Sequence, residues 1–292
     1  MINCVRMAAP FALPLRETYI LNTSRIAFIG AGNMANSLIR GLLSTGVDPA
    51  NLLAFDVDVE KLQLLQAECG ISIGSMADIA AQADVLVLAV KPQVMAEVCR
   101  ALAPLLGKRS CLLISIAAGI PLLSLQQWLG TETAIVRSMP NTPALVSAGA
   151  SGLFANDRTS AEQKQLAEDI MKTAGIVCWV PQESDIDAVT ALSGSGPAYF
   201  FLLMEAMEAS ALKLGLNSET ARKLTLQTAL GAALLALDSD VPPSELRKRV
   251  TSPGGTTEQA INTFQNGGFA ELVDEALQAA WQRSVELAKN FT

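Results

Sequence analysis

The sequence predicts an α/β fold: a Rossmann-type doubly wound sheet followed by an all-α dimerisation domain. Three observations carry that prediction. Short apolar runs alternate with helical stretches from residue 25 to about 129, the first run ends on a Gly-x-Gly turn, and strand signals stop after Pro181. Near-continuous Val/Ile/Leu runs mark strands buried on both faces of a parallel sheet. Their regular alternation with helices is the doubly wound pattern.

The first strand covers residues 25–30 and passes through Gly30-Ala31-Gly32 into a helix over 33–45. A strand at 52–56, a helix at 59–69 and a short strand near 71–73 follow. The run 85–90 is again a continuous apolar strand, and the helix 92–106 opens on Pro92, whose missing N–H costs nothing in a first turn. Strands at 112–117 and 134–138 extend the series. Met139-Pro140-Asn141-Thr142-Pro143 then makes a rigid turn, and strands at 148–154 and 176–180 flank a helix over 161–173. Helices are expected at 183–192, 197–214, 218–237, 243–250, 257–265 and 269–290. The boundary falls near 181–183, giving a Rossmann domain over 25–181 and a helical domain over 182–292. Residues 1–24 lack the unbroken apolar core and small-residue cleavage site of a signal peptide, and read as a disordered extension or an upstream start.

Composition narrows the chemistry. The chain of 292 residues is 50% hydrophobic but only 5% aromatic and 17% charged, which suits close helix packing and surface buried between subunits. The helix 218–237 carries Leu224, Leu226, Leu230, Leu234, Leu235 and Leu237 among alanines, leaving almost no polar face in its second half. Such a helix must be enclosed on all sides, and helices of a second subunit are the expected cover. A net charge of −7 speaks against a nucleic-acid partner. The chain has no histidine, so His-based relays, imidazole acids and His metal sites are all excluded, and no metal is expected. The cysteines at 4, 69, 99, 111 and 178 form no C-x-x-C pair and read as reduced, mostly buried thiols of a cytoplasmic protein. The most apolar late segment carries Glu205, Glu208 and Lys213, so no membrane span is expected.

Ile29-Gly30-Ala31-Gly32-Asn33-Met34-Ala35 fits G-x-G-x-x-G/A with alanine in the third place. Gly30 permits the tight turn, Gly32 lets a pyrophosphate approach the backbone, and Ala35 allows the helix to pack closely on the strand. The bare N–H groups of the helix start receive the anion. Because the turn follows a strand and opens a helix, dinucleotide binding is the reading over a purely structural glycine turn. Asp56 ends the second strand, where a carboxylate accepts from a ribose 2′-OH and repels a 2′-phosphate. That logic favours NADH over NADPH; the competing reading is a solvated turn, with Asp58 capping the next helix. Ala89-Val90-Lys91-Pro92 and Ile116-Ala117-Ala118-Gly119 end later strands at the edge where ligands of open α/β sheets collect. Lys91 there faces either the cofactor or solvent, and the small residues suit either a nicotinamide wall or plain packing.

In the helical domain, Ser193-Gly194-Ser195-Gly196-Pro197 is a glycine-rich connection that fits a tight turn as well as a ligand contact. Consecutive glycines in Ser252-Pro253-Gly254-Gly255-Thr256-Thr257 present open N–H groups before a helix, a ready site for a carboxylate. The bland reading has Thr256 as N-cap and Gln259 closing a capping box. Lys213 and Asn217 have the Lys-x-x-x-Asn spacing of β-hydroxyacid dehydrogenases, but Gly215 between them reads as a helix terminator and separates the two side chains.

From about residue 25 to 289 these motifs resemble the pyrroline-5-carboxylate reductase family: Phe28 to Met34, Ala89-Val90-Lys91-Pro92, the Ile116–Gly119 stretch within 115–119, 139–143, 193–199 and, most specifically, 245–257. The resemblance implies reduction of 1-pyrroline-5-carboxylate to L-proline, the last step of proline biosynthesis, by hydride transfer from NADPH or NADH. It implies a substrate carboxylate on the N–H groups of Gly255, Thr256 and Thr257 with Ser252 nearby, and the Thr257 hydroxyl on the ring nitrogen. Glu183 corresponds to a position that approaches substrate in relatives. The family also implies a homodimer through the helical domain and often a decamer. Asp56 departs from the Ser, Thr or Asn residues frequent there in NADPH-preferring relatives. Two alternatives stand beside this reading: a Rossmann reductase for another cyclic imine or a keto acid, and a catalytically silent NAD(P)-binding sensor.

Overall fold

The computed structural model describes residues 21–107 and 109–291. The expectation of a disordered extension over 1–24 falls mostly on residues outside this range. Residues 21–24 depart from it. They form a helical turn whose Leu21 is fully buried, and Asn22 ties it down through Gly46 O (3.2 Å), Asp48 N (2.8 Å) and the Asn51 side chain (2.7 Å).

Eight strands form one sheet. β1 is Ile26–Ile29, β2 Leu52–Phe55, β3 Ser72–Ile73, β4 Val85–Leu88, β5 Leu112–Ser115, β6 Ala134–Met139, β7 Gly149–Ala155 and β8 Gly175–Trp179. Their order is β3-β2-β1-β4-β5-β6-β7-β8. The strands from β3 to β6 are parallel, as expected, whereas β7 runs antiparallel to β6 and parallel to β8. The strand-to-strand reversal of connection lies between β1 and β4, the switch point where open α/β sheets bind ligands.

Between the strands lie α1 (Asn33–Ser44), α2 (Val59–Cys69), α3 (Met76–Gln82), α4 (Pro92–Leu106), α5 (Leu122–Leu129) and α6 (Ala161–Lys172). Two of these, α3 and α5, are additional to the helices read from the sequence. A capping box, with the Ser75 hydroxyl on Asp78 N–H and the Asp78 carboxylate on Ser75 N–H, starts α3. The sheet separates two apolar cores. Phe28, Val85, Val87 and Ile114 face one with Leu38 and Ile39; Ile29, Leu86, Leu88 and Leu113 face the other with Met95 and Leu102. Burial on both faces is what the unbroken apolar runs require.

The described residues divide into two compact units. One runs to Gly194 and takes up the chain again from Ala280; the other is Ser195–Ala279. The sheet unit therefore runs past 181–183, as far as Gly194. The reason is that α7 (Asp185–Val189) belongs with the sheet. Ile186 is buried, the Val189 side chain fills the space above Gly152, and Asp187 accepts a 2.6 Å hydrogen bond from the Ser284 hydroxyl.

The second unit contains α8 (Gly196–Lys213), α9 (Ser218–Leu237), α10 (Pro243–Arg249), α11 (Thr256–Asn266) and the start of α12 (Phe269–Lys289). α8 packs on α9 across a turn at Gly215, whose φ of +96° suits glycine alone. Beyond it Asn217 caps α9 by accepting from Thr220 N at 2.8 Å, so Lys213 and Asn217 lie on either side of a helix break. Phe200, Phe201, Leu202, Leu234, Leu235 and Leu237 are exposed on the single chain. The run Asp185–Lys213 is long and apolar enough, by length and composition only, to cross a membrane.

Among the described cysteines Cys69, Cys99 and Cys111 are buried and Cys178 is exposed, all as free thiols. Burial pushes Cys99 and Cys111 up to about 12 from the usual 9.0. The unfolded chain ionises both near the ordinary value, so their contribution to stability is complete below pH 9.0 and is lost as pH rises toward 12. A series of melting temperatures between about pH 8 and 11 should fall along this slope. Replacing Cys99 and Cys111 together by alanine should flatten it, whatever the change in baseline.

Candidate active site

The first glycine turn is built by close backbone approach. Gly30 has a φ of +102°, and its N–H donates to Phe55 O at 2.7 Å. A Cβ there would lie 2.6 Å from Ala89 O, so the β1 turn is seated directly against the end of β4. Gly32 is the N-cap of α1, with no side chain capping the helix. A Cβ on Gly32 would meet nothing within 4 Å, so the N–H face of this helix start is open to an approaching group. Ile29, Ala31 and Ala35 are buried beneath it, while Met34 is half-buried and Asn33 exposed. An uncapped helix start with an open glycine face is the cradle a dinucleotide pyrophosphate needs, and the residues present fit that group.

Asp56 closes the same turn. Its Oδ2 accepts from Ala31 N at 2.7 Å and its Oδ1 from Asp58 N at 3.0 Å. Asp58 in turn caps α2 through Lys61 N, a bond that holds its carboxyl below the usual carboxylate range. Asp58 is thus the helix cap, and Asp56 ties the end of β2 to the glycine turn.

Along the same sheet edge, Ala89 and Val90 are half-buried, and Ala89 N donates to Ile29 O at 2.8 Å. Lys91 is exposed and forms the N-cap of α4 by backbone alone, with Pro92 as first residue. Ile116 and Ala118 are half-buried and Ala117 is buried, and Ile116 N donates to Leu88 O at 3.2 Å. These residues therefore come from the ends of β1, β2, β4 and β5, which the parallel register brings to one edge.

In the second unit, Gly254 has a φ of +71° and Gly255 is the N-cap of α11 with no side-chain cap. The capping box expected from Thr256 and Gln259 does not form: Thr256 is already the first helical residue, and Gln259 N bonds Gly255 O at 3.3 Å. Glu258 instead reaches back, accepting from Gly254 N at 2.8 Å. Ser252, Thr256 and Thr257 are exposed, so hydroxyls and helix-start N–H groups face outward together. The basic last turn of α10, Arg247-Lys248-Arg249, complements the carboxyl end of its own helix.

Glu183, expected near the substrate, is tied to groups of the sheet unit. Its Oε1 accepts from Arg137 Nη1 at 2.9 Å and from Leu122 N at 2.7 Å, both within the sheet unit. Sequence reading passed over Arg137, although a lone arginine inside the apolar strand Ala134–Met139 was a usable signal. It also underrated Asn141, whose Oδ1 accepts from Ala150 N and whose Nδ2 donates to Ser193 O, each at 2.9 Å. The glycine-rich connection at 193–197 is not a loop: a π-helical turn, Thr190–Gly194, leads almost directly into α8.

Comparison with known proteins places this geometry. A family model described as pyrroline-5-carboxylate reductase dimerisation matches residues 183–287, and one described as NADP oxidoreductase coenzyme F420-dependent matches 25–119. A pyrroline-5-carboxylate reductase of Pseudomonas aeruginosa is 57% identical over 272 residues, covering 93% of this chain and 99% of that protein. The chain belongs to the pyrroline-5-carboxylate reductases. The solved structure of a pyrroline-5-carboxylate reductase from Coxiella burnetii, 47% identical, matches 91% of this reductase chain and 99% of its own with a TM-score of 0.88. The Plasmodium falciparum pyrroline carboxylate reductase, solved with NADP bound, is 30% identical over 91% of this chain and 99% of its own, with a TM-score of 0.81.

Gly30→Ala should test the turn in this reductase. A methyl group cannot fit against Ala89 O, and positive φ adds about 1–3 kcal/mol of strain. Coenzyme affinity, followed by NADH fluorescence, should fall at least about tenfold. Unchanged affinity in a folded variant would reject the seating described here.

Proposed function

We propose that this chain reduces 1-pyrroline-5-carboxylate to L-proline with a hydride from NADPH or NADH, the last step of proline biosynthesis. The observation that carries the reading is the occurrence, in one member of this family, of two uncapped glycine-led helix starts, at Gly32 and at Gly255. The first suits a pyrophosphate and the second a carboxylate, the anions carried by the coenzyme and by the substrate.

Gly30–Met34, Asp56, Ala89–Pro92 and Ile116–Ala118 would hold the nicotinamide coenzyme, which would supply a hydride. The chain's own residues bind and orient. Gly255, Thr256 and Thr257 N–H groups hold the substrate carboxylate, with the Ser252 hydroxyl beside them. The Thr257 hydroxyl bonds the ring nitrogen and fixes which face of the C=N bond is presented. An imine of this kind takes up a proton near neutral pH, so the hydride meets an iminium carbon and no strong protein acid is required. A chain without histidine accommodates that chemistry, because positioning donor and acceptor carbons supplies the larger part of the acceleration.

The helical domain makes this an oligomer, and the exposed apolar side chains of α8 and α9 are covered by a second copy in this reading, not by lipid. A decamer of such dimers, a cytoplasmic location, and the absence of membrane and nucleic-acid partners complete the proposal. The coenzyme belongs to the sheet domain over 25–181, and dimerisation and the substrate carboxylate to the helical domain over 182–292.

Oxidation of NADH or NADPH should be seen with pyrroline-5-carboxylate, and not with pyrroline-2-carboxylate or a keto acid. Failure with the first substrate rejects the reading. Thr257→Ala should lower kcat about 10²-fold without abolishing it. Asp56→Ser should shift the ratio of kcat/KM values toward NADPH, because it removes the negative charge that opposes a 2′-phosphate.

A further inference from the structure

The β5–α5 connection, residues 116–121, lies between two anchors. At one end Ile116 N donates to Leu88 O, and at the other Leu122 N, the first N–H of α5, donates to Glu183 Oε1 at 2.7 Å. No side chain of its own caps α5, since its N-cap is Pro121. The cap comes from 61 residues further along the chain. The same oxygen accepts from Arg137 Nη1 at 2.9 Å.

Arg137 holds that oxygen in place. It stands opposite Ser115, the last residue of β5, in the strand register, and its side chain is only 4% exposed. Its Nε and Nη2 have no acceptor among the described residues, so Glu183 is the single described anchor of a buried guanidinium. Removing a counter-ion from a buried charge is costly, which keeps the carboxylate where it is. Inside the connection, Gly119 has a φ of +74° and Ala117 and Ile120 are buried, so a shift at Leu122 has little slack to absorb it.

We propose that Glu183, held by Arg137, is a positioning residue for hydride transfer: it fixes the Ile116–Ala118 wall against the nicotinamide by capping α5, and it does not itself contact substrate. This rests on the reductase reading above, because that reading supplies the group the wall faces. A small displacement of a positioning wall lowers the rate of the chemical step more than it alters ground-state binding.

The test uses the full-length enzyme and three variants. Wild-type reduction of pyrroline-5-carboxylate is measured first; its absence would reject the function and leave this inference unaddressed by kinetics, but amide exchange at Leu122 still reads the cap directly. Glu183→Ala should lower kcat by about 10- to 100-fold, leave KM for pyrroline-5-carboxylate within about twofold and speed exchange of the Leu122 amide. Glu183→Gln keeps an acceptor oxygen for Leu122 but removes the charge. It should melt earlier, as Glu183→Ala does, yet retain kcat within about threefold. If Glu183→Ala does not fold, Glu183→Asp keeps the charge, is too short to hold both donors, and should show the same loss of kcat. A raised substrate KM with unchanged kcat would make Glu183 a substrate contact and overturn the proposal. So would a folded Glu183→Ala or Glu183→Asp with normal kinetics and a protected Leu122 amide, or a Glu183→Gln as slow as Glu183→Ala.

Discussion

The carboxyl edge of the sheet hangs on one contact, the seating of Gly30 against the carbonyl of Ala89. Because no side chain intervenes, β1 and β4 reach the edge with their ends touching, and Gly30 N bonds Phe55 O from the other neighbour. Three strand ends are thereby locked into one short line. The direction in which α1 leaves the sheet follows from that, and with it the aim of the N–H groups after Gly32. Any larger residue at 30 forces apart the strands whose apolar faces form both cores, so fold and site share this constraint.

The same physics appears twice at different scales. At Gly32 and at Gly255 a helix begins without a side-chain cap, leaving donors that a globular protein ordinarily satisfies internally. Neighbouring carboxylates attend both places: Asp56 bonds Ala31 N, and Glu258 bonds Gly254 N. Each takes a donor beside the helix start and leaves the start itself open. This arrangement holds the turn in shape while reserving its strongest anion-binding direction.

Much of this was legible in the sequence, and the illegible parts have identifiable causes. The unbroken apolar runs at β1, β4 and β5 named a two-sided parallel sheet because only such burial tolerates them. The short helices α3 and α5 escaped because seven or eight residues hold barely two turns of periodicity, although Ser75 and Asp78 carried a capping signal. The end of the π-helical turn, Ser193-Gly194, read as part of a loop, since the glycines and serines of 193–196 signal flexibility more loudly than an i→i+5 bond does. The compact sheet unit reaches past 181–183 because proline at 181 ends a strand without ending the packing: α7 still lies on the sheet, although the dimerisation match begins at 183. The Arg137–Glu183 pair could not be matched from sequence, as its members are 46 residues apart. The motifs after residue 190 supplied the family and hence the reaction, which the glycine fingerprint alone leaves open.

The open helix starts also bear on how long the protein survives. Helix-start donors that face outward gain their partners on binding, so a ligand that binds only the folded state lengthens the life of the chain as it binds. At a coenzyme level about a hundredfold above Kd that gain reaches about 2.7 kcal/mol, enough to lower the unfolded fraction by roughly a hundredfold. Cellular proteases act on that fraction. Resistance of the fold to unfolding, and so to proteolysis, thus tracks occupancy of the helix starts.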